Sequence, residues 1–187
     1  DFHRVSGIYP GARFVLEAAS DQETVRKVQN GDVHLGLISS PPPRGLTSLR
    51  LASAGFQTGV GKGHPLFSKA LRDRPVPIRE LLQYPFIQLG GSLLGVVGAG
   101  KSPDGWRDDR FPRRFSHSTG SLKVLEALAV SGKSLAYLPD YLVASLGLKP
   151  LRVTGCPFFC AQDVRLVAGD VRKARWLEAL FRKENKL

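Results

Sequence analysis

Short apolar runs separated by amphipathic stretches recur along the chain. The runs ARFVLEAA (residues 12–19) and VHLGLIS (33–39) predict buried strands, because continuous apolar residues between turn signals suit strands that are covered on both faces. Between them, Ser20 to Glu23 has the form of a capping box, and Asn-Gly at 30–31 ends the helix that it begins. Strand, helix and strand with short connections are typical of a parallel sheet with a crossover helix.

The rest of the chain continues this alternation. A long extended run, LTSLRLASAGFQTGVGKG (46–63), precedes a short helix at 77–85 and the strand FIQL at 86–89. After the strand RFSH, Ser118 and Thr119 stand where they would cap the amphipathic helix SLKVLEALAVSG. This order predicts an α/β protein of two linked lobes rather than one uninterrupted sheet. The remaining predicted elements are strands at 134–139 and 163–169 and helices at 140–147 and 171–184.

Composition is that of a soluble globular protein, with 42% hydrophobic and 23% charged residues. No apolar run approaches the roughly 20 residues that a membrane span needs. The N-terminal DFHRVSG lacks the basic-then-apolar layout of a signal peptide. The chain contains no Met, so we expect it to be a piece of a longer protein.

The formal net charge of +11 permits nucleic acid, an anionic surface or an anionic small ligand as partner. The basic residues are spread along the chain, however, and no basic strip interleaved with aromatic residues offers a surface for base stacking. A solvated basic surface is therefore favoured over a nucleic-acid groove within these residues.

Two cysteines, Cys156 and Cys160, lie in GCPFFCA. A metal site would need more ligands, and the four histidines are scattered without ligand spacing, so no metal is predicted. A disulfide across so short a loop is uncommon, and reduced, partly buried thiols are favoured. Reduced thiols indicate a reducing, cytoplasmic setting.

The stretch GVVGAGKS, Gly95 to Ser102, fits the G-x-x-x-x-G-K-[S/T] pattern of a phosphate-binding loop. Such a loop needs a strand that leads directly into the glycines and a helix that begins at the Lys-Ser pair. Here residues 90–94 separate FIQL from the motif, and Pro103 and Gly105 follow it, which disfavours a helix. The pattern is interpreted as a flexible glycine loop rather than a nucleotide site.

Several segments together resemble one protein family. FHRVSGIYPGARFVLEAASDQETVRKVQNGDVHLGLIS resembles the start of the effector-binding domain of LysR-type transcriptional regulators, where a helix ends in a Tyr-Pro-Gly turn and a strand follows. VGKGHPLF is similar to that family's crossover into the second lobe, and PIRELLQYPFI to its next helix and strand. STGSLKVLEALAVSGKSLAYLPDYLV is similar to its helix, glycine turn and Leu-Pro strand end. The resemblance covers essentially the whole chain.

The resemblance implies a fold like that of periplasmic binding proteins, in which two Rossmann-like α/β lobes clamp a small ligand. Lobe I would comprise residues 1–57 plus 165–187, and lobe II residues 58–164, with the crossovers Phe56–Val60 and Asp163–Leu166 as the hinge. Members of the family bind DNA through an N-terminal winged helix-turn-helix and form homodimers or tetramers. We expect neither that DNA-binding domain nor the first strand of lobe I within this chain.

Two departures from the family pattern bear on function. His34 stands where the family often has an acidic residue, and a lone histidine there is interpreted as a packed or surface residue rather than a ligand. The oxidant-sensing branch of the family uses two cysteines that are well separated in the second lobe. Cys156 and Cys160 come later and closer together, so redox sensing is not favoured.

In an open α/β sheet, ligands bind outside the carboxyl ends of the strands, where loops and helix N-termini supply N–H groups. Each hydroxyl at such a position could equally be a helix cap or a turn former. Together with the positive charge they favour an effector that carries a carboxylate or another anion, while Asp21 favours a polar or cationic group at its other end. The predicted effector-binding residues are Ser20, Asp21, Ser39, Ser40, Gln88, Gly90, Ser118, Thr119 and Gly120.

The predicted function is therefore that of a sensor domain of a transcriptional regulator, with no cofactor and no membrane partner. The alternative is a solute-binding protein of a transport system, which shares the fold. Catalysis is not expected, because no nucleophile lies at recognisable spacing from a base. The loop that holds Asp104, Asp108, Asp109, Arg107 and Arg110 is typical of a solvated charge cluster.

Overall fold

The computed structural model describes residues 10–91 and 102–183, with side chains up to Phe181. The mixed α/β character is confirmed. The predicted helix before Tyr-Pro-Gly and most of the glycine loop lie outside the described residues. The strands are β1 Leu35–Ile38, β2 Thr47–Val60, β3 Val76–Pro77, β4 Phe86–Leu89, β5 Phe115–Thr119, β6 Leu135–Pro139, β7 Lys149–Pro150, β8 Val153–Thr154 and β9 Ala161–Ala168. The helices are α1 Asp21–Asn30, α2 Phe67–Leu71, α3 Ile78–Leu81, α4 Leu122–Val130, α5 Asp140–Ser145 and α6 Arg175–Lys183.

The 14-residue strand β2 organises the main sheet, whose described strands follow the order β1-β9-β2-β6-β4-β5. The first part of β2, Thr47–Gly55, pairs antiparallel with β9, with an irregularity between Arg50 and Ala52. The second part, Phe56–Gly59, pairs antiparallel with β6. The hydrogen-bonded ladder thus changes partner in the middle of β2.

Strand directions bring the carboxyl ends of β1 and β4 towards the same level of β2. β1 is antiparallel to β9 and therefore parallel to β2, and its last residue, Ile38, lies level with Arg50 through Arg165. β4 and β5 are parallel to β6 and therefore run against β2, and Ile87 lies level with Gly59 through Ala136. The ends of β1 and β4 consequently face each other along the stretch of β2 from about Arg50 to Gln57, roughly 20 Å of extended chain.

The predicted strand at 12–19 is wrong. Residues 12–19 have no regular secondary structure, and Val15 and Leu16 are 72% and 67% exposed. Among the described strands none pairs with this segment. An apolar run without a ladder partner leaves its backbone donors and acceptors to water, so apolar character alone does not make it a strand.

Local signals fixed the helix ends to differing degrees. Helix α1 is confirmed: the Ser20 hydroxyl accepts a hydrogen bond from the Glu23 amide at 3.2 Å, and Gly31 closes the helix with a left-handed φ of 81°. The helix predicted at 77–85 is shorter and ends at Leu81, since the residue before Pro85 is disfavoured in a helix. The terminal helix begins at Arg175, after a 3-10 turn, rather than at the predicted 171.

The described core is concentrated around β6, which is buried along its whole length. One face of β6 packs against a cluster that includes Phe56, Phe86 and Trp106. The other face packs against the α4 residues Leu125 and Ala129 and the helix that follows β6.

The loop that was predicted to be a solvated charge cluster contains a buried ion-pair network. The Arg113 side chain has no exposed surface, and its guanidinium donates to Asp104 at 2.7 and 3.0 Å and to Asp108 at 2.9 and 3.0 Å. It also lies 4.9 Å from the centroid of the buried Trp106 ring. The pairs that Asp109 makes with Arg107 at 2.6 Å and with Arg110 at 3.8 Å are partly solvated, as predicted for this loop.

Candidate ligand-binding site

The structure brings Asp21, Ser39 and Ser40 together beyond the end of β1. The Asp21 Oδ2 atom accepts hydrogen bonds from the Ser39 amide at 2.9 Å, the Ser40 amide at 2.7 Å and the Ser39 hydroxyl at 3.2 Å. Ser20, the cap of α1, precedes Asp21. Because the two amides already bind a carboxylate, this group presents negative rather than positive potential to a ligand.

A second group of predicted residues lies at the ends of β4 and β5. Gln88 pairs with Ser118 in the parallel ladder, and the Gly90 amide donates to the Thr119 carbonyl at 2.8 Å. A Cβ atom at Gly120 would meet no atom within 4 Å, so the backbone there is open to approach. Among the described residues, no hydrogen bond joins one group to the other.

The prediction that Ser118 and Thr119 cap a helix is wrong. Both residues belong to β5, which parallel pairing with β4 extends as far as Thr119. The cap of α4 is Ser121, whose hydroxyl accepts from the Val124 amide at 3.5 Å, while the Thr119 hydroxyl accepts from the Ser121 amide at 3.1 Å. The exposed Ser118 therefore has no capping role.

Arg50 on β2 and its neighbours on β9 were missed by the sequence reasoning. The Asp163 carboxylate accepts from Arg50 at 2.9 Å and from Arg165 at 2.7 Å, so two guanidinium groups share one carboxylate. Arg165 pairs with Ile38, the last residue of β1, and Asp163 lies two residues beyond that level. The Arg50 side chain is 57% exposed and keeps most of its hydrogen-bonding capacity open to solvent. No local motif marks these residues, because strand pairing alone assembles them.

A further carboxylate lies where β2 changes partner. The Asp140 Oδ2 atom accepts a hydrogen bond from the Gly55 amide at 3.3 Å, and its Oδ1 atom accepts one from the Tyr141 amide at 2.7 Å. Partial desolvation and the neighbouring Asp140 charge raise the pKa of the half-exposed Tyr141 phenol. A Cβ atom at Gly55 would lie 3.1 Å from the Phe159 ring. The sequence could have pointed to Asp140, because an acidic residue directly after a strand commonly marks the beginning of a helix.

The described residues contain no group of three or more His, Cys, Asp or Glu that could hold a metal ion. Within the same residues no helix has both the length and the apolar character to cross a membrane.

The α/β fold and the paired strand ends are those of a class of ligand-binding regulatory domains. The chain belongs to the LysR substrate binding domain family, whose model matches residues 4–175. The comparison with curated proteins gave no match.

Solved structures share the fold at low sequence identity. The C-terminal domain of a probable LysR family transcriptional regulator from Rhodococcus sp. RHA1 is 16% identical, with a TM-score of 0.70 over 97% of this chain and 88% of that one. The CcmR regulatory domain of Synechocystis PCC6803, in complex with 2-PG, is 17% identical, with a TM-score of 0.66 over 96% and 88%. Full-length CbnR complexed with its target DNA is 14% identical, with a TM-score of 0.66 over 97%, and this chain spans 62% of its length.

Proposed function

We propose that this domain binds a small anionic effector between two lobes and transmits the binding to DNA by reorienting them. The observation that supports this most is that the carboxyl ends of β1 and of β4 face each other along the middle of β2. Ligands bind at such strand ends in α/β sheets, because the strand ends and the loops that follow them supply polar groups there.

The lobes would comprise residues 1–57 plus 165–187 and residues 58–164, with β2 and β9 as the crossovers. The distribution of the described core supports this division. Val28, Ile38 and Val167 form one small cluster, and Ala168, Leu177 and Phe181 another, both on the β9 side of the sheet. The two larger clusters lie around β6.

The polar groups favour opposite roles for the two ends of the site. Asp21 already occupies the amides at 39 and 40, so an anionic group there would meet a carboxylate. The ends of β4 and β5 carry no carboxylate in their ladder, but the Gly90 amide and the Thr119 hydroxyl are already paired. We therefore assign the anionic end of the effector to the exposed Ser118 hydroxyl and the open backbone at Gly120. A polar or cationic end would face Asp21. The complex of the related CcmR domain with 2-PG supports the use of this fold for a small ligand.

The mechanism is a population shift. An effector that contacts both lobes stabilises one orientation of them, and only its difference in affinity between the two orientations can do work on an attached domain. We propose that DNA is bound through an N-terminal winged helix-turn-helix, as the resemblance to the family implies. Full-length CbnR, which is complexed with its target DNA, is longer than this chain, and this supports a contribution from further residues. We further propose a cytoplasmic homodimer or tetramer.

The alternative function is that of a solute-binding protein of a transport system. The structural relatives above are transcriptional regulators, which favours the regulatory function. A non-catalytic role agrees with the same relatives.

A thermal-shift screen of small carboxylates, phosphates and amino acids tests the proposal. A ligand at 100 times its dissociation constant stabilises the folded chain by about 2.7 kcal/mol. We expect the active compound to lose affinity in Ser118→Ala and in Asp21→Asn, since the two variants remove contacts at opposite ends of the site. A matched variant, Ser145→Ala, changes a hydroxyl whose partner is its own helix and should leave affinity unchanged. If neutral compounds shift the melting temperature while every anion is silent, the anionic assignment is wrong.

A further inference from the structure

A cavity of about 110 Å³ lies between the loop that follows Ser102 and the segment that leads into β9. None of its wall residues belongs to the two strand-end groups described above. Most of its wall is aromatic. The rings that line it are those of Trp106, Phe111, Tyr137, Phe158 and Phe159.

The aromatic wall is held in place by contacts among its own side chains and with Arg113 behind it. The Trp106 indole donates from Nε1 to the Phe111 carbonyl at 2.8 Å and meets the Tyr137 ring edge-on at 4.9 Å. The buried Arg113 guanidinium lies over the Trp106 ring. Phe158 packs edge-on against Phe111 with a centroid separation of 5.9 Å. The side of the cavity formed by Trp106, Phe111 and Tyr137 is therefore preformed, while the Phe159 ring, 74% exposed, lies at its open edge.

The polar atoms that reach this cavity are weakly polar or already paired. Cys156 and Cys160 both line it as thiols. Burial raises the pKa of Tyr137, so its phenol stays neutral. The Arg107 guanidinium, 4.6 Å from the Phe158 centroid, is paired with Asp109 at 2.6 Å. A charged ligand would find no uncommitted counter-charge among these groups.

The cavity also adjoins the point at which β2 changes partner. The Phe56 amide donates to the Cys160 carbonyl at 2.8 Å, and the Phe159 ring covers Gly55. Gly105, with a φ of 81°, allows this packing, because a Cβ atom there would overlap the Cys160 sulfur. A molecule in the cavity would therefore touch the segment that runs into the crossover.

We propose that this cavity is a second ligand site, for a small, planar, uncharged aromatic molecule of about the size of phenol. Ring edges and thiols favour an aromatic guest, since offset and edge-on ring contacts and sulfur–ring contacts add to apolar burial. A closed apolar cavity of about 150 Å³ is known to bind benzene. This cavity has a volume of the same order but opens to solvent beside Phe159, which gives a guest a way in. The proposal does not depend on the effector site, because the two sites share no residue.

Titration of the 187-residue chain with 4-fluorophenol, followed by ¹⁹F NMR, tests the proposal directly. We expect saturable binding with a dissociation constant of roughly 1 mM, typical of a ligand with so few atoms. Cys156→Leu fills part of the cavity and should weaken binding at least about tenfold, whereas Cys156→Ser keeps the volume and should change it less than about threefold. Cyclohexanol, similar in size but not planar, should compete at least about tenfold less well than phenol.

A second measurement uses the unmutated chain. Because Cys156 is half-buried in the cavity wall, saturating 4-fluorophenol should slow its alkylation by N-ethylmaleimide at least about threefold, as mapped by peptide mass spectrometry. The proposal is overturned by an absence of saturable binding, by a Cys156→Leu variant that binds as well as the unmutated chain, or by an unchanged alkylation rate. Equal competition by cyclohexanol overturns the aromatic selectivity. Failure of the anionic effector screen would leave all these outcomes unaffected.

Discussion

The two parts of β2 have the same backbone but different surroundings. Residues Phe56 to Val60 are almost wholly buried, and the clusters on the two faces of the adjoining β6 contain twelve and eight buried described residues. From Thr47 to Ser53 no residue of β2 is fully buried, and the two clusters beside β9 contain three buried described residues each. The second part is therefore expected to open only with global unfolding, and the first part at lower free energy.

This difference in packing indicates where β2 can bend at low cost in free energy. A strand that is firmly held at one end and lightly covered at the other can change direction at the junction without breaking a large core. The junction is also where Asp140 binds the Gly55 amide and where the Phe159 ring packs. Hydrogen exchange of the β2 amides should show the step in protection near Gly55.

The largest expected loss of stability comes from truncating Leu135, on β6 beside the second part of β2, compared with truncating Leu49 in the first part. Leu135 is fully buried and pairs with β4, so Leu135→Ala should cost about 4 kcal/mol through lost burial and a cavity. Leu49 is only half-buried, so Leu49→Ala should cost about 1 kcal/mol. Urea unfolding measures both values. Equal losses would mean that the two parts of β2 are equally well packed in solution.

The next largest effect is at the ion-pair network beside the second part of β2. Arg113→Met leaves the Asp104 and Asp108 carboxylates without their partner and should cost about 3 kcal/mol, measured by the same unfolding experiment. The matched Arg172→Met breaks an exposed pair and should leave the unfolding midpoint unchanged. If Arg113→Met unfolds with the same free energy as the unmutated chain, the aromatic packing of the loop does not need the charge.

The same network sets an acid limit on stability. Burial opposes ionisation of Asp108, but hydrogen bonds from Arg113 and Ser102 and the charge of Arg113 outweigh it and lower the Asp108 pKa. A carboxyl with a lowered native pKa stabilises the fold above its unfolded pKa, and this stabilisation is lost as pH falls through the native value. Stability should therefore decline below about pH 4, and less steeply in Arg113→Met than in the unmutated chain.

The sequence predicted elements whose signals are local. Ser20 and Gly31 bound α1 as expected, because a cap and a left-handed glycine act within one helical turn. The apolar segment around Val15 was mistaken for a strand because pairing is not encoded in the run itself. Ser118 was mistaken for a cap because the parallel partner that extends β5, Gln88 and its neighbours, is distant in sequence.

The candidate site shows the same limit. The residues near each strand end were predictable, since they follow apolar runs. The hydrogen bonds that make Asp21 an acceptor for the Ser39 and Ser40 amides were not, nor was the pairing of Arg50 with Asp163, because both depend on register. Asp104 and Asp108 looked like members of a solvated charge cluster for a similar reason: only the fold places their partner, Arg113, against the Trp106 ring.

A smaller effect is expected at the lightly covered end of the comparison. Asp21→Asn weakens charge-assisted hydrogen bonds to two amides and should cost about 1.5 kcal/mol. Asp140→Asn, at the junction, alters one long bond from the Gly55 amide and one local bond from the adjacent Tyr141 amide, and should cost less. Thermal denaturation of both variants ranks them. If Asp140→Asn loses more stability than Asp21→Asn, the carboxylate at the junction contributes more to stability than the one at the end of β1.

The smallest effect separates the two serines that compete for one role. Ser121 caps α4, so Ser121→Ala should cost about 1 kcal/mol, whereas Ser118→Ala removes an exposed hydroxyl and should change stability by less than about 0.5 kcal/mol. Urea unfolding of the two variants compares the stability contributions of two hydroxyls only three residues apart. If Ser118→Ala is the more destabilising, the cap lies where the sequence first suggested, and its hydroxyl is not available to a ligand. If Ser121→Ala is the more destabilising variant, Ser118 does not cap the helix. Its hydroxyl at the end of β5 is then available to a ligand, as the proposed effector site requires.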